Sequence, residues 1–453
     1  MLLIYTHKIT NRVKYTFNVI FNSVLGIDFE ITSDPEKFKQ HHAAKISYTK
    51  QSLADEIHYE SEKMLFEEGI NTPPLSPRRG AGGEADVFAL TFFLSTRYEE
   101  YLPFEADKYG RFSAKQSYAY KNNFLDKPVV NMWAKEIREK LSIRFPDLAF
   151  PENKYSHTPT IDIDNAYAYL GKNNIRTIGG YVKSMLNGDM ADILKRKNVL
   201  SGKENDPYDT YDFQFEIHKK YNLKPIYFFL LGDWAPNDKN LPHTNVLMLA
   251  LIKNISGKAE TGIHPSFASN LNPEKVKVEK DRLREITPPP SPSRGGQAAK
   301  SRQHFLMLKF PQTYRNLIAA GITDDYTMGF ADEIGFRAGI CTPYKWYDLI
   351  KEEETNLTIH PFAIMDGTLN SYLKLSPEQA IEKVKQIIGE IKNVHGELIT
   401  IWHNETLSDW RGWKGWKNVY EEMIKEAHPN LPEGKEFLGT KSSPLRGDKR
   451  GAA

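Results

Sequence analysis

The chain has 453 residues, of which 40% are hydrophobic and 26% charged, and its formal net charge is +2. Because this length exceeds what one hydrophobic core usually serves, two domains are expected, while the balanced charge gives no case for a nucleic-acid or acidic-membrane partner. Cys341 is the single cysteine, which excludes an intramolecular disulfide and an all-cysteine zinc site.

Residues 1–150 predict a smaller mixed α/β domain. MLLIYT and AAKISYT are typical of strands, and NRVKYTFNVIFNSVL of a helix between them. DVFALTFFLSTRYEEYLP has helical periodicity up to Pro103, DKYGRF predicts a turn, and NMWAKEIREKLSIRF predicts another helix. The start of the chain lacks the apolar run of a signal peptide, and no segment approaches the ~18 apolar residues of a membrane span. A cytoplasmic protein without a membrane span is therefore expected.

From residue 151 to about 430 the pattern changes to strands that alternate with helices. The predicted strands are TPTIDID, KPIYFFLLGD, AETGIHPSF, LTIHPF and ELITIWHN. Helical segments lie between them, among them one within 175–198 and another at SPEQAIEKVKQIIGEIKNV. Such alternation favours an α/β fold with parallel strands and crossover helices, in an open sheet or a barrel.

Three segments interrupt this organisation and resemble one another. They are TPPLSPRRGAGGEA from Thr72, TPPPSPSRGGQAA from Thr287, and SSPLRGDKRGAA at the end of the chain. Their Pro, Gly, Ser and Arg composition cannot bury a core and favours disorder, so we predict disordered inserts at 72–85 and 287–300 and a disordered tail at 431–453. Three insertions of one short mobile DNA repeat would explain the similarity, and coincidental loop composition is the alternative.

Ionisable side chains recur at the predicted strand ends. They are Asp162 and Asp164 in TIDID, His264 in GIHPSF, Arg302 and His304 in SRQHF, Arg337 in GFRAG, and His403 in IWHNE. One aspartate with two histidines is a frequent ligand set for catalytic Zn²⁺ or a similar divalent ion. A neighbouring carboxylate could then take a proton from water, and a separate histidine could protonate a leaving group. The inventory fits metal-assisted hydrolysis of an amide or ester.

Each of these residues also has a simpler interpretation. An Asp-x-Asp pair is often a solvated strand end, a histidine before proline is usually structural, and either arginine could form an ordinary ion pair or brace a turn. His403, next to Trp402, could belong to the packed core. Their joint occurrence, in order, at successive strand ends favours a site.

The order of these motifs over residues 155–410 resembles the polysaccharide deacetylase family (NodB homology, carbohydrate esterase family 4), in the bacterial branch with an extra N-terminal domain. The resemblance implies a distorted (β/α) barrel of about seven strands, a divalent metal such as Zn²⁺, and an N- or O-acetylated sugar or polysaccharide precursor as substrate. It further implies roles for five residues: Asp162 as catalytic base, Asp164 and His264 as metal ligands, Arg337 as the group that orients the base, and His403 as general acid.

One position departs from the family pattern. The family's histidine motif is H-x-x-x-H, and its second histidine corresponds here to Ala268, which cannot bind a metal. His304 is the candidate replacement, because a strand following the His264 segment could bring it alongside and R-Q-H stretches are a feature of this branch. A water held by Ser266 or Asn270 is the alternative. Arg302 would hold Asp162 ionised or bind an anionic group of the substrate.

Two functions follow from this sequence. The first is a metal-dependent carbohydrate deacetylase, supported by both aspartates and His403. The second is a non-catalytic carbohydrate-binding relative, supported by the altered histidine motif. The oligomeric state is not predicted.

Overall fold

The computed structural model describes residues 1–53, 55–70, 86–287 and 299–428. The predicted inserts at 72–85 and 287–300 lie, apart from their outermost residues, outside the described residues, and so does the predicted tail at 431–453. Within the described residues, no helix is long and apolar enough to cross a membrane.

The N-terminal part contains a four-stranded sheet in the order β2-β1-β3-β4, and all its strands are parallel. Four of the five α-helices in the described residues of this part begin at a side-chain cap; Asp86, for example, accepts hydrogen bonds from the amides of Phe88 and Ala89. The elements are β1 (Leu2–Thr6), α1 (Asn11–Phe17), β2 (Phe29–Thr32), α2 (Pro35–Gln40), β3 (Lys45–Thr49), β4 (Ile57–Glu60), α3 (Val87–Ser95), α4 (Tyr118–Lys121) and α5 (Val129–Arg144).

The rest of the chain builds a nine-stranded sheet in the order β10-β11-β9-β8-β7-β6-β5-β13-β12. Its strands are β5 (Ser156–Ile163), β6 (Ile226–Phe229), β7 (Glu260–Ile263), β8 (Lys300–Ser301), β9 (Asp324–Asp325), β10 (Tyr344–Asp348), β11 (Glu353–Ile359), β12 (Ile364–Met365) and β13 (Glu397–His403). Its helices are α6 (Asn174–Leu186), α7 (Met190–Leu200), α8 (Tyr211–Lys220), α9 (Val246–Ser256), α10 (Glu274–Ile286), α11 (Gln312–Ala319), α12 (Pro377–Asn393) and α13 (Trp416–Glu426).

This larger sheet confirms the predicted α/β class with parallel strands, since only β10 pairs in the antiparallel direction. It has nine strands rather than the roughly seven that the family resemblance implies, and three of them, β8, β9 and β12, are only two residues long. Strands β10 and β12 end the hydrogen-bonded order within the described residues, so the sheet is not closed by a ladder between them.

Both faces of the larger sheet are apolar, as expected for buried parallel strands. On β6, Ile226 and Phe228 point to one face and join a compact cluster with Ile399 and Ile401 of β13. The alternate residues of the same strands pack under the helices in the main core. The helix α12 shows how that cover forms, since its buried residues recur at helical spacing: Ala380, Val384, Ile387, Ile388 and Ile391.

Two predicted helices have different bounds in the structure. The helix predicted up to Pro103 ends at Ser95, and Arg97 then takes a left-handed conformation with φ of 56°. The buried guanidinium of Arg97 binds Glu99 and Glu100, which favours the turn over another helical turn. The helix predicted within 175–198 is two helices, α6 and α7, which separate at Gly188 with φ of 66°.

Candidate functional site

The candidate site lies at the carboxyl ends of neighbouring strands of the larger sheet. Strands β8, β7, β6, β5 and β13 are consecutive in it. Asp162 is on β5, Asp164 directly follows that strand, His264 directly follows β7, and His403 ends β13. Because these strands are parallel, residues that follow their carboxyl ends meet at one edge of the sheet.

Asp164 joins two histidines in a compact group. Its Oδ1 is 3.2 Å from Nε2 of His264, and its Oδ2 is 3.3 Å from Nε2 of His304. The three candidate ligand atoms all lie within 4.8 Å of one another. Burial alone would raise the pKa of Asp164, but the charge of His304 and hydrogen bonds from both histidines outweigh it and hold that pKa well below its usual value. The group is compatible with a metal site.

A second carboxylate, Asp238, orients His304. Its Oδ1 is 3.0 Å from Nδ1 of His304, so a proton on Nδ1 satisfies this contact and leaves Nε2 facing Asp164. Asp238 also accepts hydrogen bonds from the backbone amides of Phe267 and Ala268, at 2.7 and 3.1 Å. The position that lacks the family's second histidine therefore contributes its backbone to the support of His304.

His403 has a similar carboxylate behind it. Its Nδ1 is 2.9 Å from Oδ1 of Asp366, and Oδ2 of Asp366 accepts hydrogen bonds from the amide of His403 and the hydroxyl of Thr406. Nε2 of His403 lies 3.9 Å from Oδ2 of Asp164 and so faces the group of Asp164, His264 and His304. Burial would lower the pKa of His403, but the carboxylate of Asp366 outweighs it and raises that pKa well above its usual value.

Asp162 lies deeper than Asp164 and is 2% exposed. Its Oδ2 is 4.0 Å from Nε2 of His264. Its Oδ1 is 3.3 Å from Nη1 of Arg302, which also donates to the hydroxyl of Thr160 at 2.7 Å. Arg302 is fully buried and lies over the ring of Phe228. Two roles were predicted for Arg302. Its position supports contact with Asp162 and opposes binding of an anionic group on the substrate.

Arg337 does not take the place that the family resemblance implies. Its Nε and Nη2 bind the carboxylate of Glu100 at 2.9 and 2.5 Å, and its Nη1 donates to the carbonyl of Gly329. Glu100 belongs to the N-terminal part of the chain and also pairs with Arg97. Among the described residues, the arginine that contacts Asp162 is Arg302, and Arg337 instead joins the two parts of the chain. The contacts of Arg337 therefore give no support to its predicted role as the residue that orients the base, which stays a prediction.

A cavity of about 220 Å³ opens beside Asp164 and His304. Its lining includes Asp164, Asn165, His304 and Phe305. The backbone of Phe305 is left-handed, with φ of 60°, which is rare for a bulky residue and costs energy that neighbouring contacts must offset. The turn from His304 to Phe305 is thus held in place rather than relaxed.

A short segment of the N-terminal part, residues 106–112, supplies some of those contacts. It is the predicted turn, closed by a bridge between Ala106 and Phe112. Arg111 donates from Nη1 to the carbonyl of Phe305 at 2.8 Å and pairs with Asp107. The ring of Tyr109 lies 4.9 Å from that of Phe305. This segment therefore packs against Phe305, one of the residues that line the cavity.

Two supporting carboxylates, Asp238 and Asp366, were missed in the sequence. Asp238 lies in the segment GDWAPND after β6, and Asp366 directly follows β12 in the segment AIMDG. Both positions follow predicted or actual strand ends, which is the signal that could have identified them. A strand of two residues gives no periodicity, so Asp366 was the harder of the two to find.

Comparisons with known proteins cover the chain unevenly. Residues 2–146 match a family described as "Family of unknown function (DUF7033)". No curated protein matches the chain. A crystal structure described as "putative polysaccharide deacetylase from Mycobacterium smegmatis" matches with a TM-score of 0.37 and 15% sequence identity, over 62% of this chain and 86% of that chain.

Proposed function

We propose that the protein is a metal-dependent hydrolase that removes acetyl groups from an N- or O-acetylated sugar or polysaccharide precursor. The observation that carries the proposal is the buried group of Asp164, His264 and His304, with Asp162 beside it and His403 facing it. On this proposal, residues 151–430 form a distorted (β/α) barrel of the NodB-homology type, and residues 1–150 form a separate accessory domain.

The donor set fits a divalent metal and favours Zn²⁺. One carboxylate and two imidazole nitrogens are a common ligand set for zinc, and three protein ligands leave a position open, as catalytic zinc sites require. Nδ1 of His304 is already occupied by Asp238, so its Nε2 is the atom available for a metal. When bound, such a metal polarises a carbonyl group and lowers the pKa of water.

The remaining residues divide the proton transfers between them. Asp162 accepts a proton from the attacking water, and Nη1 of Arg302, 3.3 Å from its Oδ1, helps to hold the carboxylate in place. His403 donates a proton from Nε2 to the departing amine or alcohol, while Asp366 fixes its Nδ1 and stabilises the imidazolium. Base and acid thus approach the acetyl group from two neighbouring strands, β5 and β13.

The partly exposed aromatic rings near the cavity support a sugar as substrate. Phe305 lines the cavity, and Tyr109 and Phe267 have ring centroids 4.9 and 5.4 Å from that of Phe305. Flat apolar rings beside polar groups match the apolar faces and hydroxyl edges of a pyranose.

The test compares metal content and acetate release in one set of variants. Wild-type protein is dialysed against zinc-free buffer, its zinc is measured, and acetate release from acetylated sugars is assayed with and without added zinc. His304→Ala is expected to lose zinc and activity with its circular dichroism unchanged. His360→Ala is the matched control, since His360 pairs with Asp324 outside the candidate site, and it should retain both.

Other results would overturn the proposal. Unchanged zinc affinity in His304→Ala would remove His304 from the site. Wild-type protein that binds acetylated sugars but holds no zinc and releases no acetate would favour the non-catalytic carbohydrate-binding relative. That alternative rested on Ala268, and the position of His304 beside Asp164 weakens it.

A further inference from the structure

The helices α6 and α7 form a hairpin, residues 174–200, that buries polar side chains and exposes apolar ones. Facing the protein, Asp192 accepts hydrogen bonds from the hydroxyls of Tyr169 and Ser184 and pairs with Arg196. Ser184 is the one buried residue of α6. A helix on the surface of a globular protein normally buries its apolar stripe and exposes its polar one. Here the polar stripe is buried.

The apolar stripe of the hairpin faces solvent. Of the 20 large hydrophobic side chains exposed in the described residues, eight lie between residues 175 and 200. Ile175, Ile178, Val182 and Met185 follow one another at helical spacing along α6, and Ile175 is 82% exposed. Met190 and Leu194 extend the surface onto α7. Contiguous apolar surface of this kind marks an interaction site rather than scattered exposure.

The length and charge of the hairpin favour a lipid surface as its partner. The helices have 13 and 11 residues, well short of the ~20 needed to span a bilayer. Residues 172–200 contain six lysines and arginines against two aspartates, and both aspartates pair with arginine. A second copy of the chain would bring like charges together, whereas an anionic bilayer complements them.

The hairpin also borders the mouth of the candidate site. Arg176 on α6 donates from Nη1 and Nη2 to the carbonyls of Asn240 and Lys239, at 3.1 and 2.6 Å. Lys239 lines the cavity beside Asp164 and His304. A surface that engages the outer face of the hairpin therefore lies next to the entrance of the cavity.

We propose that the outer apolar face of the α6–α7 hairpin docks into the interface of an anionic phospholipid bilayer. The apolar stripe enters the boundary between head groups and acyl chains, and the exposed Lys183 and Lys197 contact anionic head groups. The near-neutral charge of the whole chain does not reveal this partner, because it averages out the local excess of basic residues in the hairpin. This docking is independent of the reaction proposed above.

The experiment is flotation of the full chain with vesicles. One set contains equal parts of phosphatidylcholine and phosphatidylglycerol, and the other contains phosphatidylcholine alone. Wild-type protein is expected to float with the anionic vesicles, less with the neutral ones, and less at high salt. Ile178→Glu with Met185→Glu should weaken binding by roughly a hundredfold, since loss of each apolar side chain from the interface costs about tenfold in affinity.

Ile143→Glu is the matched control, because Ile143 is 84% exposed on α5 of the N-terminal part and should float like the wild type. Failure of the wild type to bind anionic vesicles overturns the proposal. So does a wild-type dimer, measured by light scattering, that becomes a monomer in the double variant without any vesicle binding. Acetate release from a water-soluble acetylated sugar is measured in parallel. Vesicle binding without acetate release refutes the reaction alone, and the reverse refutes the docking alone.

Discussion

The two parts of the molecule contain parallel sheets, but their ionisable residues are arranged differently. In the larger sheet, carboxylates and histidines from neighbouring strand ends converge into the single group of metal-ligand spacing found in the described residues. The N-terminal part contributes paired charges instead, chiefly Glu100 between Arg97 and Arg337. A parallel sheet provides an edge where side chains can meet, but the residues at that edge decide whether it becomes a site.

One buried carboxyl group from each part of the molecule also shows that the two parts use ionisable residues differently. Burial would raise the pKa of Glu100, but the charges of Arg337 and Arg97 lower it overall. Glu279 of α10 accepts hydrogen bonds from the amide and hydroxyl of Ser266, and burial raises its pKa to about 7. The N-terminal part thus uses an ionised carboxylate as a bridge, while α10 beside the larger sheet carries a carboxyl group whose pKa burial raises to about 7.

The largest expected effect is on catalysis at the larger sheet. Asp162→Asn keeps the shape of the side chain but removes the proton acceptor, so acetate release should fall by about 10²–10⁴. Zinc content should stay at the wild-type level, because Asp162 is not in the group of ligands. Parallel loss of zinc would place Asp162 among the ligands and contradict its role as base.

The second largest expected effect is on the stability that Glu100 provides through its ion pairs with Arg97 and Arg337. Glu100→Gln leaves Arg97 and Arg337 buried without a full counter-charge, and the free energy of unfolding in urea should fall by about 3–5 kcal/mol. Glu390→Gln is the control, since the pair of Glu390 with Lys127 also joins the two parts but is partly exposed. It should cost less than about 1 kcal/mol. Equal losses of unfolding free energy in the two variants would show that burial does not determine how much the ion pairs of Glu100 stabilise the fold.

The proximity of the predicted site residues could be anticipated from the sequence more readily than the edges of the fold. Asp162 and His403 lie in strands of four or more residues, and Asp164 and His264 directly follow such strands, so their closeness was expected from the parallel order. The partner of Arg337 could not be predicted, because Glu100 is more than 200 residues away in sequence. The exposed apolar stripe of α6 could not be predicted either, because periodicity locates an apolar face but does not show what that face packs against.

The buried carboxyl group of Glu279 predicts a pH dependence of stability. Its pKa is raised from 4.5 when unfolded to about 7 when folded, so its contribution is complete below pH 4.5 and is lost as the pH rises through 7. The wild type should lose up to about 3 kcal/mol over that window. Glu279→Gln should not show this loss, and urea unfolding at several pH values measures it. Parallel pH profiles for the two proteins would contradict the prediction.

A smaller effect should arise where the N-terminal part touches the site. Arg111→Ala removes the hydrogen bond to the carbonyl of Phe305, so the strained turn after His304 loosens. Zinc affinity should fall by about tenfold, as for other residues that support ligands. Arg138→Ala, which removes an arginine on α5 that lies over Phe150, is the control and should bind zinc normally. Unchanged affinity in Arg111→Ala would limit the segment to a packing role.

The smallest expected effect separates substrate binding from chemistry in the same segment. Tyr109 contacts no candidate ligand, but its ring lies 4.9 Å from Phe305 at the cavity, where it can stack on a sugar ring. Tyr109→Ala should raise KM for an acetylated oligosaccharide by about fivefold, the value of one aromatic contact of about 1 kcal/mol. The value of kcat and the zinc content should not change. Phe104→Ala is the control, because Phe104 packs on Phe112 of the same segment. If KM rises equally in both variants, the segment acts through its fold; if it rises in Tyr109→Ala alone, the N-terminal part contributes directly to substrate recognition.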